Sequence, residues 1–250
     1  MANPVLSEKL FMKEASHASN LAMTIKGTIY KTLILLLMVM AGASYTWKVF
    51  NESISPNAVN GWMWGGAVGG FIVAMFITFK PSRAQYIAPL YALLQGLFLG
   101  ALSAMFNGLF AELDSNIVLN AVLLTIAATF SMLLIYRSGI IKVDSRFTKL
   151  ITIAVGAIAF YYIISIVLSL FKVNLTLLHD SGPLSIGVSL IIVLVASFSL
   201  LVDFEFIVRG SSRGLPKYME WYGAFSLMVT LIWLYLEILK LLSKFAARRE

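Results

Sequence analysis

Seven stretches of this chain are apolar over about 19 residues or more, the length a helix needs to cross a lipid bilayer. They read Ile29 to Phe50, Gly61 to Phe79, Ala88 to Phe110, Ile117 to Tyr136, Phe147 to Phe171, Pro183 to Phe204 and Trp221 to Leu242. Across 250 residues, 60% are hydrophobic and only 12% are charged, a balance that removes most soluble functions from consideration. A spanning barrel would need short segments of alternating polarity, and the run from Leu33 to Met40 does not alternate. The expected fold is therefore all-α: a polytopic membrane protein built as a bundle of seven transmembrane helices.

Three regions follow: an N-terminal tail over 1–28, the seven-helix domain over 29–242 and a basic C-terminal tail over 243–250. Charge sets the orientation. The tail (Lys9, Lys13, Lys26) and the second, fourth and sixth loops hold most of the basic residues, including Lys80, Arg83, Arg137, Lys142, Arg146, Arg209 and Arg213. The third loop is acidic through Glu112 and Asp114. By the positive-inside rule the N-terminus is cytoplasmic. A net charge of +7 could also suit nucleic acid, but these residues sit beside spans, where they serve orientation and contact with anionic lipid. Seven spans place Lys240, Lys244, Arg248 and Arg249 on the outer side. Late charges usually yield to the earlier pattern, and a re-entrant final helix would also remove the conflict.

The chain has no cysteine, which excludes disulfides, thiolate metal sites and a cysteine nucleophile. Two histidines, His17 and His179, are too few for a zinc site of the usual kind, although His179 adjoins Asp180. No serine, histidine and acid share a plausible depth for a hydrolase triad, so no enzyme and no cofactor is expected. Gly61, Gly65 and Gly69 recur every fourth residue with Gly66 and Gly70 beside them, and Gly96, Gly100 and Ala104 form a similar stripe. Such stripes let helix backbones approach closely. Pro183 is expected to open the sixth helix, with Asp180 or Ser181 as cap, and Pro81 and Pro89 to break the second helix from the third.

Ionisable groups at membrane depth are costly, so each is a functional candidate. On the sixth span Ser185, Ser189, Ser199 and Asp203 fall on one face, with Ile192 and Ala196 filling the same stripe. On the seventh, Ser226, Thr230 and Glu237 form a second stripe. Asp203 lies about 30 Å along the helix from Pro183, near the cytoplasmic boundary, and Glu237 about 24 Å from Trp221. Glu220 is thus the better-placed partner for Asp203, with Thr230 between. Glu220 also reads as a solvated helix end, and Glu237 as a group paired with Lys240 or Lys244. Gln95, inside the third span, can bond a neighbouring helix or line a ligand path.

These residues carry a resemblance. The segments Ala88 to Gly100, Tyr136 to Lys142, His179 to Pro183, Leu201 to Glu205, Pro216 to Tyr222 and Ala224 to Lys240 resemble the Bax inhibitor motif family, in particular its bacterial YccA-like branch. The resemblance implies seven helices with the last at the centre and, for some members, a pH-sensitive calcium leak. It implies an aspartate near the end of the sixth helix, matched by Asp203, and a second on the seventh, where Thr230 stands instead. A basic residue after the second helix latches the pair in some relatives, a role that Lys80 or Arg83 could take. The family's acidic residue before the third-helix glycine is Gln95 here, and Ser199 is read as polar support.

The expected function is a pH-modulated calcium or cation leak in a cell membrane, by analogy the bacterial inner membrane, with a stress or survival role. Paired buried carboxylates suit such a switch because burial and mutual repulsion bring protonation toward neutral pH. Asp203, Glu205 and Glu220 with backbone carbonyls and water would make only a weak calcium site. The alternative is a regulator that binds a membrane protease without conducting ions. Oligomeric state, ion and direction of flux are not read from the sequence. The topology is checked in this cysteine-free chain with Lys142→Cys, Arg213→Cys and Glu112→Cys. An impermeant thiol reagent should label the first two from one side and the third from the other, and same-side labelling of positions 112 and 142 overturns the map.

Overall fold

The computed structural model describes residues 22–53, 56–113, 116–171 and 182–248. Lys9, Lys13, His17, Asp114, His179, Asp180, Ser181 and Arg249, all considered from the sequence, lie outside the described residues. Among those described, seven α-helices match the seven apolar stretches: α1 (Ile25–Glu52), α2 (Asn60–Phe79), α3 (Ala84–Leu109), α4 (Ile117–Ser138), α5 (Ser145–Leu170), α6 (Pro183–Ser212) and α7 (Met219–Ala247). All seven are long and apolar enough to cross a membrane. The only strand-like pairing among the described residues is an isolated bridge between Ala22 and Pro216. The fold class is all-α, as expected.

Local chemistry explains the helix ends. The Asp144 carboxylate accepts from the Phe147 N–H at 2.7 Å and opens α5, while Gly139 takes φ 69° to close α4, a backbone state that costs glycine little. Pro183 opens α6 as predicted. Pro89 does not break the second helix from the third. Pro81 starts a short 3₁₀ turn over Pro81–Arg83, and Pro89 then sits inside α3, which remains helical around it. The helices also overrun the predicted domain edges of 29 and 242. Helix α1 begins at Ile25, and α7 continues to Ala247 because Ser243 and Lys244 lower hydropathy without breaking a helix. Helix α7 is one uninterrupted helix of 29 residues.

The chain divides into two compact units. One comprises the described parts of Ser7–Leu109 with Phe206–Val229, and the other comprises those of Phe110–Glu205 with Thr230–Glu250. In the first unit α3 packs against both α1 and α2. A Cβ at Gly42 would lie 2.8 Å from the Leu93 carbonyl oxygen, and side chains at Gly96 and Gly100 would meet the α1 backbone at Val39 and Ala43. The stripe on the third helix is therefore a packing surface. On α2, however, the packing glycines are Gly66 and Gly70, whose neighbours are Leu94, Phe98 and Gln95. A Cβ at Gly61 or Gly65 meets nothing, and one at Gly69 makes only ordinary contact with the Leu94 side chain. The five glycines look equivalent in sequence, but a helix surface has only one side toward α3.

In the second unit α4 and α5 expose long apolar rows, among them Leu119, Leu123, Phe130 and Leu134 on α4 and Ile153, Phe160 and Ile166 on α5. These rows suit contact with lipid tails. Helix α7 is the opposite case. Between residues 219 and 247 only Phe245 is exposed. Its other described positions are buried or half-buried.

The glycine assignment makes an asymmetric prediction. Gly66→Leu should cost about 2 kcal/mol or more through overpacking against the α3 backbone, whereas Gly65→Leu should leave thermal unfolding in detergent unchanged. Equal losses at both positions would contradict this packing.

Candidate functional site

In a bilayer a buried polar group must find its partners within the protein. The hydroxyls of Thr28, Thr32, Thr125, Ser197 and Ser199 meet that demand by donating to the carbonyl four residues earlier, at 3.0 Å for Ser199 to Val195. The carboxylates cannot do so. Glu205, Glu220 and Glu237 each accept from elsewhere in their own unit.

Glu220 sits in the first turn of α7 and is fully buried. One of its oxygens accepts from the Thr24 backbone N–H at 2.9 Å and from the Thr24 hydroxyl at 2.8 Å, with the Lys217 ammonium also at 2.8 Å. Its other oxygen accepts from the Lys31 ammonium, which also lies 5.6 Å from the Trp221 ring centre. Thr24 is the N-cap of α1, and its hydroxyl accepts in turn from the Gly27 N–H at 3.0 Å. In a capping box, a glutamate three residues after the cap reaches back to the cap N–H. Here that position is Gly27, and a Cβ on it would fall on the Glu220 carboxylate. The last helix thus supplies the capping carboxylate that the first helix lacks. Next to it the Met23 N–H donates to the Leu215 carbonyl at 2.6 Å.

Glu237, 2% exposed, accepts from the Tyr162 hydroxyl at 2.8 Å and pairs with Lys240 at 3.2 Å. The expected pairing is therefore with Lys240, and Lys244 goes elsewhere. Only 7% exposed, Lys244 donates to the Ser185 hydroxyl at 2.8 Å, the Ser189 hydroxyl at 2.7 Å and the Ser185 carbonyl at 3.4 Å. Glu205 accepts from the Tyr136 hydroxyl at 2.6 Å.

The sixth-helix stripe is buried throughout: Ser185, Ser189, Ile192, Ala196, Ser199 and Asp203 are each 5% exposed or less. Its steps of four and three repeat every seven residues, as do Thr230, Glu237 and Lys244 on α7. The contact of Lys244 with Ser185 and Ser189 fixes the antiparallel register of the two stripes. Equal rise per residue then puts Glu237 level with Ile192 to Ala196, and Thr230 level with Ser199 to Asp203. Asp203 and Thr230 are 1% and 3% exposed. The second unit therefore brings Asp203, Thr230 and Glu237 onto one buried seam.

The remaining sequence candidates lie in the first unit. Gln95 lies against Gly70 on α2. Lys80 and Arg83 are exposed, and the Lys80 ammonium lies 5.5 Å from the Phe76 ring centre. The basic groups that reach a buried carboxylate in this unit are Lys31 and Lys217, neither of which stood out in the sequence. A lysine inside an apolar span was the signal for Lys31. Among the described residues no three His, Cys, Asp or Glu side chains converge to hold a metal ion.

A family model described as Bax inhibitor 1 like matches residues 3–247, nearly the whole chain. The chain belongs to the Bax inhibitor 1 like family. No curated protein matches it. This Bax inhibitor 1 like protein thus carries seven helices long and apolar enough to cross a membrane.

Breaking a buried ion pair by removing one partner costs about 3–5 kcal/mol. Glu220→Gln should therefore lower stability by about that amount, and Lys31→Met in the same chain should recover part of the loss. Gly27→Ala should also destabilise, since its methyl group takes the carboxylate's place. Unfolding in detergent reads all three; a wild-type midpoint for Glu220→Gln would refute the trans cap.

Proposed function

We propose that this protein is a pH-modulated leak for calcium or other cations, in the YccA-like manner, in a bacterial inner membrane with its N-terminus cytoplasmic. The observation that carries the reading is the seam of the second unit, where Asp203 lies buried at the level of Thr230 with Ser199 beside it. An ionisable group at such depth is a functional candidate by default, and a carboxylate on a polar stripe is what a passing cation needs. Protonation removes the charge at Asp203, so flux would vary with pH. Calcium is cargo in this scheme, met by a few oxygens at a time and not held by a resident cage. Glu237, seven residues beyond Thr230, is a second carboxylate along the same path. Glu220 has a separate task, since its oxygens are engaged by Thr24, Lys31 and Lys217. A stress or survival role would follow from control of ion balance.

The test is calcium flux into proteoliposomes over a pH series. Asp203→Asn should change the flux and flatten its pH dependence, Thr230→Asp should steepen it, and Glu237→Gln should reduce flux if the second carboxylate lies on the path. A parent protein that conducts nothing at any pH would sink the leak, and the role of binding a membrane protease would take its place.

A further inference from the structure

Two ammoniums converge on one carboxylate in the first unit. Lys31 of α1 and Lys217, just before α7, both reach Glu220, and among the described residues neither pairs with a second acid. One positive charge is therefore left over. Contacts of hydrogen-bond length to the two oxygens of one carboxylate hold the ammoniums within about 8 Å of each other. Each has three N–H donors and spends one on Glu220. The Glu220 side chain is 0% exposed while those of Lys31 and Lys217 are 16% and 44% exposed, so whatever approaches the cluster meets its cations first.

Depth and surroundings select the ligand. Helix α1, at 28 residues, is about 42 Å long, and centred on a hydrocarbon core of about 30 Å it overhangs by about 6 Å at each end. Lys31 lies about 9 Å from its start, close to that boundary, where a lysine head reaches the headgroup layer. The half-buried Trp221, whose ring centre is 5.6 Å from the Lys31 ammonium, is a residue that this layer favours. Toward the hydrocarbon, the exposed Ile34 and the half-buried Met38 continue the Lys31 side of α1 at steps of three and four.

We propose that Lys31 and Lys217 together bind the phosphate of one anionic phospholipid, with Trp221 beside its headgroup and an acyl chain along Ile34 and Met38. A phosphodiester offers charged oxygens to both ammoniums, and its single negative charge matches the positive charge that Glu220 leaves over. A zwitterionic headgroup brings its own cation and loses that net attraction. The site is independent of the leak and of the seam in the other unit.

The experiment titrates the full chain in a neutral detergent with phosphatidylglycerol or phosphatidylcholine and counts bound lipid by native mass spectrometry. Phosphatidylglycerol should bind about fivefold more tightly or better. Lys217→Gln should remove most of that preference, and Lys142→Gln, at an exposed lysine of the other unit, should leave it unchanged. Equal losses from the two variants would mean diffuse surface charge and overturn the site, as would a parent with no preference or a Lys217→Gln variant that retains it. Displacement of the lipid by inorganic phosphate would make the ligand a soluble anion and overturn the lipid assignment. If Lys217→Gln does not accumulate, the double variant Lys31→Met, Glu220→Gln removes one charge of each sign, keeping the net charge but leaving a single ammonium. It should lose the preference too, and a retained preference would count against the paired lysines.

Discussion

A bilayer core offers no water to an unpaired polar group, and the arrangement of this chain follows from that constraint. The hydroxyls of Thr28, Thr32, Thr125, Ser197 and Ser199 turn back onto their own helices. The charged groups need partners on other elements, and the partners they find tie distant parts of the sequence together: Glu220 to Thr24 and Lys31, Glu237 to Tyr162, Lys244 to Ser185 and Ser189. Apolar packing alone could not specify these pairings, because lipid tails are as apolar as leucine. Close glycine contacts supply the rest, bringing α1 and α3 together through Gly42, Gly96 and Gly100.

Hydropathy made the seven helices legible, because spanning length is imposed by the membrane and not by tertiary contacts. It was a poorer guide to their ends. Thr24 and Lys244 are polar, yet one caps α1 and the other lies buried inside α7. The sixth-helix stripe was legible for a similar reason: its heptad spacing is a property of one helix. What could not be read was which of several equivalent residues faces a neighbour. Gly65 and Gly66 differ by one position and by about 100° around the helix, which separates open space from the Leu94 backbone.

Charges illustrate the same boundary. Depth along each helix, taken one acid at a time, placed Glu220 beside Asp203. The structure engages Glu220 with the first helix, a contact spanning 196 residues that no local pattern encodes. The antiparallel register of α6 and α7, set by Lys244, then gives Thr230 the level of Asp203. A threonine there keeps a hydrogen-bonding group while leaving Asp203 without a second negative charge from that position.

The trans cap has a consequence for how the protein is made. Ribosomes deliver α1 to the membrane first and α7 last, so the Thr24 N–H and the Lys31 ammonium wait through the synthesis of the whole intervening chain for Glu220. Until then a lysine stands unneutralised near the start of the first inserted helix, an expensive state in lipid. Any product truncated before residue 220 keeps that exposed charge permanently.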